Sequence, residues 1–258
     1  MKLDIVYEDE YIIACVKPYG VPSQPDKTYG TDMVTLVKEY LYEKQMKQAD
    51  QGKQDTEVGE PYVAVINRLD RPVGGIIVFA KDEDTAAKLT DMVQDREISK
   101  YYQVVVRGFL DEPEGEMSDW ILHDKKTNIS KIVPKGTKGA KKAELYYEVL
   151  DELDTDEGPV SYLLVELVTG RHHQIRCQMA AHGLPVWGDT KYGSSGSKGK
   201  SGKGKNVSGR GNGKKQAGYE IGLYSTRIEF THPVTGEDIF LHREPEGKAF
   251  DIMDQMDW

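Results

Sequence analysis

The sequence predicts an α+β fold built on a mixed, largely antiparallel sheet with flanking helices. Strand-like segments outnumber helical ones, and the two kinds do not alternate regularly, which argues against a doubly wound parallel sheet. Hydrophobic residues make up 38% of the 258 residues and charged residues 30%. That is enough for a sizeable core under a very polar surface. No apolar run approaches the roughly 20 residues that a membrane helix needs.

In chain order, Leu3–Tyr7 and Tyr11–Lys17 are apolar and β-rich and read as a hairpin around Glu8-Asp9-Glu10. Two prolines make Lys17–Pro22 a loop, because neither can donate to a ladder. Thr31-Asp32 can cap a helix that runs to about Gln48, with Met33, Val34, Leu36, Val37, Tyr40 and Leu41 as its apolar positions. Ala49–Glu60 is polar and reads as a loop. Tyr62–Ile66 and Ile76–Ala80 have the short apolar runs of buried strands. Asp84–Arg96 reads as a helix and Tyr101–Val106 as a strand. Further strands are expected at Ile129–Val133, Glu144–Leu150 and Ser161–Val168. A helix over His173–His182 follows, with Gly183 as its stop signal. Leu223–Phe230 and Asp238–Leu241 read as two strands around a turn at His232–Gly236. No internal repeat is present.

The net charge is −9, which taken alone disfavours a nucleic-acid partner. Its distribution says otherwise. Residues 125–142 hold seven lysines and no acid, and residues 194–217 hold seven Lys/Arg and no acid. These 42 residues carry +14 and the remaining 216 carry −23. Local potential attracts phosphate even where net charge is negative. Both segments also fit plain solvated loops. The stretch at about 194–218 is rich in Gly, Lys and Ser and reads as a flexible basic insertion. The start of the chain does not look like a signal peptide, and Cys15 and Cys177 read as ordinary thiols. A cytoplasmic location, without membrane contact, is the expectation.

Three segments can carry chemistry. Asn67-Arg68-Leu69-Asp70-Arg71-Pro72-Val73-Gly74-Gly75 turns the chain from one strand into another. Such a connection can present Asp70, with Arg68 nearby, from a rigid scaffold. It also fits a tight turn in which Asp70 bonds backbone N–H groups. Leu167–Arg176 places Arg171 and Arg176 around a helix start, a setting that suits an anion or a structural ion pair. Lys100–Gly108 puts the adjacent Tyr101 and Tyr102 on opposite faces of a strand, and one of them can stack on a base or simply pack.

Taken together, and in order, these segments resemble one family closely. Arg68-Leu69-Asp70, the strand Lys100-x-Tyr102-x-Val104-x-Val106-x-Gly108 and Thr169-Gly170-Arg171-x-His173-Gln174-Ile175-Arg176 are followed by Gly183–Gly193 and by Phe230–Pro233. The run is similar to RluA-type pseudouridine synthases from about residue 3 to about residue 245. The resemblance implies a single catalytic domain over 1–258 with the pseudouridine synthase fold and a central RNA-binding cleft. No S4-type domain is expected ahead of it. Family members isomerise uridine in ribosomal or transfer RNA without cofactor, metal or nucleotide. By that resemblance Asp70 is the nucleophile, and Tyr102 stacks on the target base and can take part in removing the C5 proton. Arg176 pairs with the aspartate, and Arg68 enters the RNA stack as the uridine flips out. Ile175 lines the pocket, and Arg171 supports the loop that holds the substrate. A monomer is expected. The sequence departs from the common pattern at Asn67, at Val73-Gly74-Gly75 and at Gln178, which bears on subgroup and target.

Two rival readings remain. His172, His173, Cys177 and His182 lie close in sequence and could suggest zinc, but no second ligand pair stands at a familiar spacing. An RNA-binding protein that kept the fold and lost catalysis is the other rival, and here Asp70, Tyr102 and Arg176 are all present. Nucleotide binding is disfavoured: Gly74-Gly75 makes no G-x-G-x-x-G, and Gly199-Lys200-Ser201 lacks the strand and helix of a P-loop.

Overall fold

The computed structural model describes residues 2–26, 30–50, 59–193 and 220–254. The basic insertion expected at about 194–218, and most of the loop expected at 49–60, lie outside the described residues.

The hairpin forms as predicted, from strands β1 (Asp4–Glu8) and β2 (Ile12–Lys17). Asp9 makes its turn by accepting the N–H groups of Tyr11 and Ile12, each at 2.7 Å. Helix α1 (Met33–Asp50) runs two residues past the expected end. Its cap is Asp32, which accepts the Thr35 N–H at 3.1 Å and the Thr35 hydroxyl at 2.7 Å. Strand β3 is only Ala64–Val65, and β4 (Gly74–Ala80) begins two residues earlier than expected. Helix α2 (Glu83–Asp95) is capped by Asp82 and ends on Arg96 in the left-handed region at φ 64°. Strand β5 covers Ser99–Arg107.

Strand β6 (Glu114–Asp124) was not legible in the sequence, because only Met117 and Ile121 of its eleven residues are buried. Polar residues and Gly115 dilute the alternation. Strand β7 (Ile129–Ile132) is as expected. Strand β8 (Lys141–Thr155) is more than twice the expected length, and its outer half is half-exposed and acidic. It returns as β9 (Gly158–Glu166). Helix α3 (Gln174–Ala181) is followed by Gly183 at φ 86°. Strands β10 (Leu223–Thr231) and β11 (Asp238–His242) flank the expected turn, with Gly236 at φ 76°. Helix α4 (Lys248–Asp254), which sequence did not indicate, buries Ala249, Phe250 and Met253.

The chain forms two compact units. The first takes its described residues from 1–103, 166–168 and 224–246. Its strand order is β1-β2-β4-β10-β5, with β3 on β4 and β11 on β10. Strand β4 runs antiparallel to β2 and parallel to β10, so the sheet is mixed. The alternation of β2 and β4 sends Ile12, Ala14, Ile76 and Val78 to the face under α2, with Leu89. It sends Ile13, Cys15, Ile77 and Phe79 to the face under α1, with Met33, Leu36 and Val37. Both faces are covered, which explains why these strands read as unbroken apolar runs. Each fully buried side chain of this size contributes about 1.5–3 kcal/mol.

The second unit takes its described residues from 104–165, 169–223 and 247–254. Strand β6 pairs antiparallel with both β7 and β8. Ile121, Ala143, Cys177 and Tyr192 form a small core there, with Ile129, Ile132 and Ala180 packed against it. No helix among the described residues is long and apolar enough to cross a membrane.

Candidate active site

The loop between β3 and β4 owes its shape to side chains that stand in for backbone. Ile66 still donates its N–H to Val78 O at 2.9 Å. Asn67 then takes the next ladder position with its amide: Nδ2 donates to Ile76 O at 3.1 Å, and Val78 N–H donates to Oδ1 at 2.7 Å. The family departure at Asn67 is therefore a structural anchor. Leu69 is buried and exchanges two hydrogen bonds with Ser23, its N–H donating to Oγ at 3.0 Å and its carbonyl accepting the hydroxyl at 2.7 Å. Between these inward positions Arg68 is exposed, while Asp70 is half-buried. The turn that follows is closed by the Asp70 carbonyl, which accepts Val73 N–H at 3.0 Å.

The glycines after the turn answer a packing demand. A Cβ on Gly75 would lie 2.3 Å from Ser225 O, and Gly75 has φ 111°. Gly74 and Gly75 are the residues that pair in parallel with Tyr224 and Ser225 of β10. Only glycine permits this close backbone approach directly behind Asp70.

Lys17, which sequence reasoning passed over, clamps the same loop. Its side chain is fully buried, and Nζ donates to the carbonyls of Pro18, Val21 and Arg71 at 3.0, 2.9 and 3.2 Å. Arg71 returns the contact, its Nε donating to Gly20 O at 2.8 Å while Gly20 N–H donates to Arg71 O at 2.8 Å. Burial pulls the Lys17 ammonium down to about 7, and the charge of Asp70 opposes that fall. Lys17 and Asp70 therefore sense each other. Lys17→Met is expected to take the ammonium donor from the buried Val21 carbonyl, at about 1–3 kcal/mol, while the Pro18 and Arg71 carbonyls keep the N–H groups of Val21 and Gly20. A lowered thermal midpoint together with reduced turnover checks this. An unchanged midpoint contradicts it.

Tyr102 and Tyr101 face opposite ways, as strand alternation requires. Tyr101 packs under Arg227, whose guanidinium carbon lies 3.8 Å from the ring centroid. Tyr102 is 6% exposed. Burial pushes its phenol well above the ordinary value, and the charge of Asp70 pushes it further the same way. Asp70 and Tyr102 belong to the first unit.

The second unit holds the arginine-rich segment. His173 starts α3 in the left-handed region at φ 53° without capping it. Gln174 organises the loop instead: Oε1 accepts the Thr169 hydroxyl at 2.8 Å and Arg171 N–H at 2.9 Å, and Nε2 donates to Glu144 O at 3.0 Å. Arg171 Nε donates to Lys142 O at 2.8 Å. Ile175 is buried. Arg176, 4% exposed, meets Asp189 through two bonds, Nε to Oδ2 at 2.6 Å and Nη2 to Oδ1 at 3.0 Å. Asp189 also accepts the N–H groups of Lys191 at 2.9 Å and Tyr192 at 3.2 Å. The Tyr192 ring centroid lies 5.2 Å from the guanidinium carbon. Asp189 is the second residue that sequence reasoning missed. Its signal was present in Gly188-Asp189-Thr190-Lys191-Tyr192-Gly193, an aspartate two and three residues ahead of the N–H groups it binds. Gln178, another of the family departures, donates to Met117 O at 3.2 Å and to Asp119 Oδ2 at 2.8 Å. Among the described residues no group of three or more His, Cys, Asp or Glu side chains is arranged to hold a metal ion.

The chain is similar to known proteins in both sequence and fold. The tRNA pseudouridine synthase C of Vibrio vulnificus (strain CMCP6) is 29% identical over 269 residues, covering 99% of this chain and 96% of the relative. That of Haemophilus ducreyi (strain 35000HP / ATCC 700724) is 31% identical over 202 residues, covering 75% of each. In structure, human RNA pseudouridylate synthase domain containing 4 superposes with a TM-score of 0.64 at 19% identity, over 94% of this chain and 88% of that one. Human RNA pseudouridylate synthase domain containing 1 gives 0.62 at 21% identity, over 95% and 84%. These neighbours bear out the α+β pseudouridine synthase fold. The RNA pseudouridylate synthase family matches residues 11–181, about two thirds of the sequence and a span that contains Asp70, Tyr102 and Arg176. The chain therefore belongs to the RNA pseudouridylate synthases, enzymes that isomerise uridine in RNA to pseudouridine.

Proposed function

We propose that this synthase acts on transfer RNA, with Asp70 as its nucleophile, Tyr102 as the ring that stacks on the target uracil and Arg176 as the guanidinium that pairs with the aspartate. The observation that supports it most is the treatment of Asp70. Asn67, Leu69 and Ser23 spend buried hydrogen bonds, and Lys17 and Arg71 half-buried ones, on the backbone around it. The turn itself uses the Asp70 carbonyl. A carboxylate held in this way is preorganised for chemistry, and a buried tyrosine feels its charge.

The reaction conserves atoms. The C1′–N1 bond of uridine breaks and a C1′–C5 bond forms. The proton on C5 leaves and N1 gains one. Asp70 attacks either C6 of the ring or C1′ of the sugar, and its departure closes the cycle. Tyr102 stays a neutral phenol, so it presents a flat apolar face and an O–H rather than a second anion beside Asp70. The base cannot be detached and turned inside a helix, so the uridine is flipped out, and the exposed Arg68 is placed to fill the gap in the stack. Ile175 and Arg171 line and brace the substrate side of the α3 start. Transfer RNA is favoured over ribosomal RNA because the relatives that match almost end to end are named for it.

The test is to add the purified chain to RNA from cells that lack its gene and to map pseudouridine. New sites in transfer RNA are expected. New sites confined to ribosomal RNA overturn the substrate assignment.

A further inference from the structure

The second unit carries a feature that the proposed chemistry does not use, a stack of three imidazoles. His123 on β6 lies against His172 with ring centroids 3.7 Å apart and planes 16° from parallel. His172 lies against His173 at 3.7 Å and 25°. His173 is the buried end, its Nδ1 2.8 Å from the Tyr192 hydroxyl. His172 is held edge-on by Ser130, whose hydroxyl lies 2.9 Å from Nδ1 and donates to the His172 carbonyl at 2.7 Å. His123 is the outer end. It is partly exposed, and Nε2 lies 3.3 Å from Asn128 Oδ1.

Two imidazolium rings at this distance would repel one another. The surroundings enforce neutrality at the buried end: burial first, then Arg176, His172, Lys191 and His123, hold His173 down to about 2. The result is a π column whose last ring is partly exposed. A stack that served packing alone would need no third ring there.

Cations stand in the turn next to that end. Lys125 and Lys126 are exposed in the turn between β6 and β7, directly after the strand that carries His123. Lys191 reaches the same turn, its Nζ donating to Asn128 O at 2.8 Å. Asp124, beside them, is spent on the turn and accepts Lys126 N–H at 2.9 Å. A π face beside a cationic turn fits a ligand with a flat aromatic group and an anion next to it. An unpaired nucleotide within an RNA strand is that ligand.

We propose that the outer face of His123 stacks a nucleobase of the bound RNA, one other than the isomerised uridine, while Lys125 and Lys126 of the adjoining turn meet the phosphates beside it. This rests on the reading that the chain works on RNA, and it adds a subsite built from residues outside the family motif. His172 occupies a variable position in that motif, and His123 lies outside it.

The test uses the full chain and two probes: a single-stranded RNA oligonucleotide containing 2-aminopurine, followed by fluorescence, and an unmodified tRNA transcript, followed by filter binding. His123→Ala is expected to weaken binding of both about five- to 150-fold, the scale of losing one base stack. His123→Lys, which supplies charge without a π face, is expected not to rescue. His123→Trp is expected to bind at least as tightly as the parent and to quench the 2-aminopurine. Turnover at saturating RNA should stay within twofold in all three, and the thermal midpoint should fall by no more than about 6 °C, the scale of losing one aromatic pair. Parental affinity in His123→Ala, or rescue by His123→Lys, overturns the subsite. A parent chain that binds RNA but forms no pseudouridine overturns the functional reading alone, and the titrations still decide the subsite.

Discussion

Asp70→Asn is expected to abolish pseudouridine formation while the chain remains folded and binds RNA as before. The two side chains have nearly the same size, and the turn is closed by the residue 70 carbonyl, which the substitution keeps. The anchors around it also bind backbone rather than the carboxylate: Ser23 on Leu69, Lys17 on Arg71 O and Asn67 on β4. What changes is the charge. An amide is no nucleophile towards C6 or C1′, and removing a nucleophile from a covalent mechanism costs on the order of 10⁴-fold in turnover or more. Tritium released from RNA labelled at uridine C5 measures the loss. Turnover above about a hundredth of the parental rate would sink Asp70 as nucleophile, because general electrostatic help alone is worth about that much.

Arg176→Met should produce the largest loss of stability. Both partners of the Arg176–Asp189 pair are almost fully buried, with side chains 5% and 1% exposed. Removing one partner of such a pair leaves an uncompensated charge and costs about 3–5 kcal/mol. Against a total stability of about 5–15 kcal/mol, that is a large fraction. The thermal midpoint should fall by roughly 6–20 °C. Loss of activity in this variant would be ambiguous by itself, so a second variant separates the roles. Arg176→Met combined with Asp189→Asn removes both charges and is expected to recover most of the midpoint. Pseudouridine formation is expected to stay absent, because the guanidinium proposed to pair with Asp70 is still missing. Recovery of both stability and activity would make Arg176 a structural residue only.

The motif residues could be read because each answers a local chemical demand. Asp70 stands between an arginine and a proline–glycine turn, Tyr102 alternates along a strand, and Arg176 sits in the first turn of a helix. Those signals are short in range and survive in a single sequence. The hairpin of β1 and β2, the Asp32-capped helix and the β10–β11 turn were legible for the same reason. Strand β6 and helix α4 were not. The former hides its period because one face is polar and the other only partly covered, and the latter is about two turns of helix whose buried Phe250 packs against Tyr162.

The sequence alone determined the fold class, the family and the three residues proposed to do the chemistry. Tertiary structure decided who holds them. Lys17 stands 53 residues before Asp70, and nothing in its local pattern marks it as the buried donor to the Arg71 carbonyl. Asp189 finds Arg176 thirteen residues away, and His123 meets His172 across 49. Gly74 and Gly75 read as a plain turn until β10 is laid against them, 150 residues on. The physical reason is common to all four. A side chain's chemistry is carried by its own residue, but burial, charge compensation and close approach are properties of a pair, and the second member is chosen by the path of the chain.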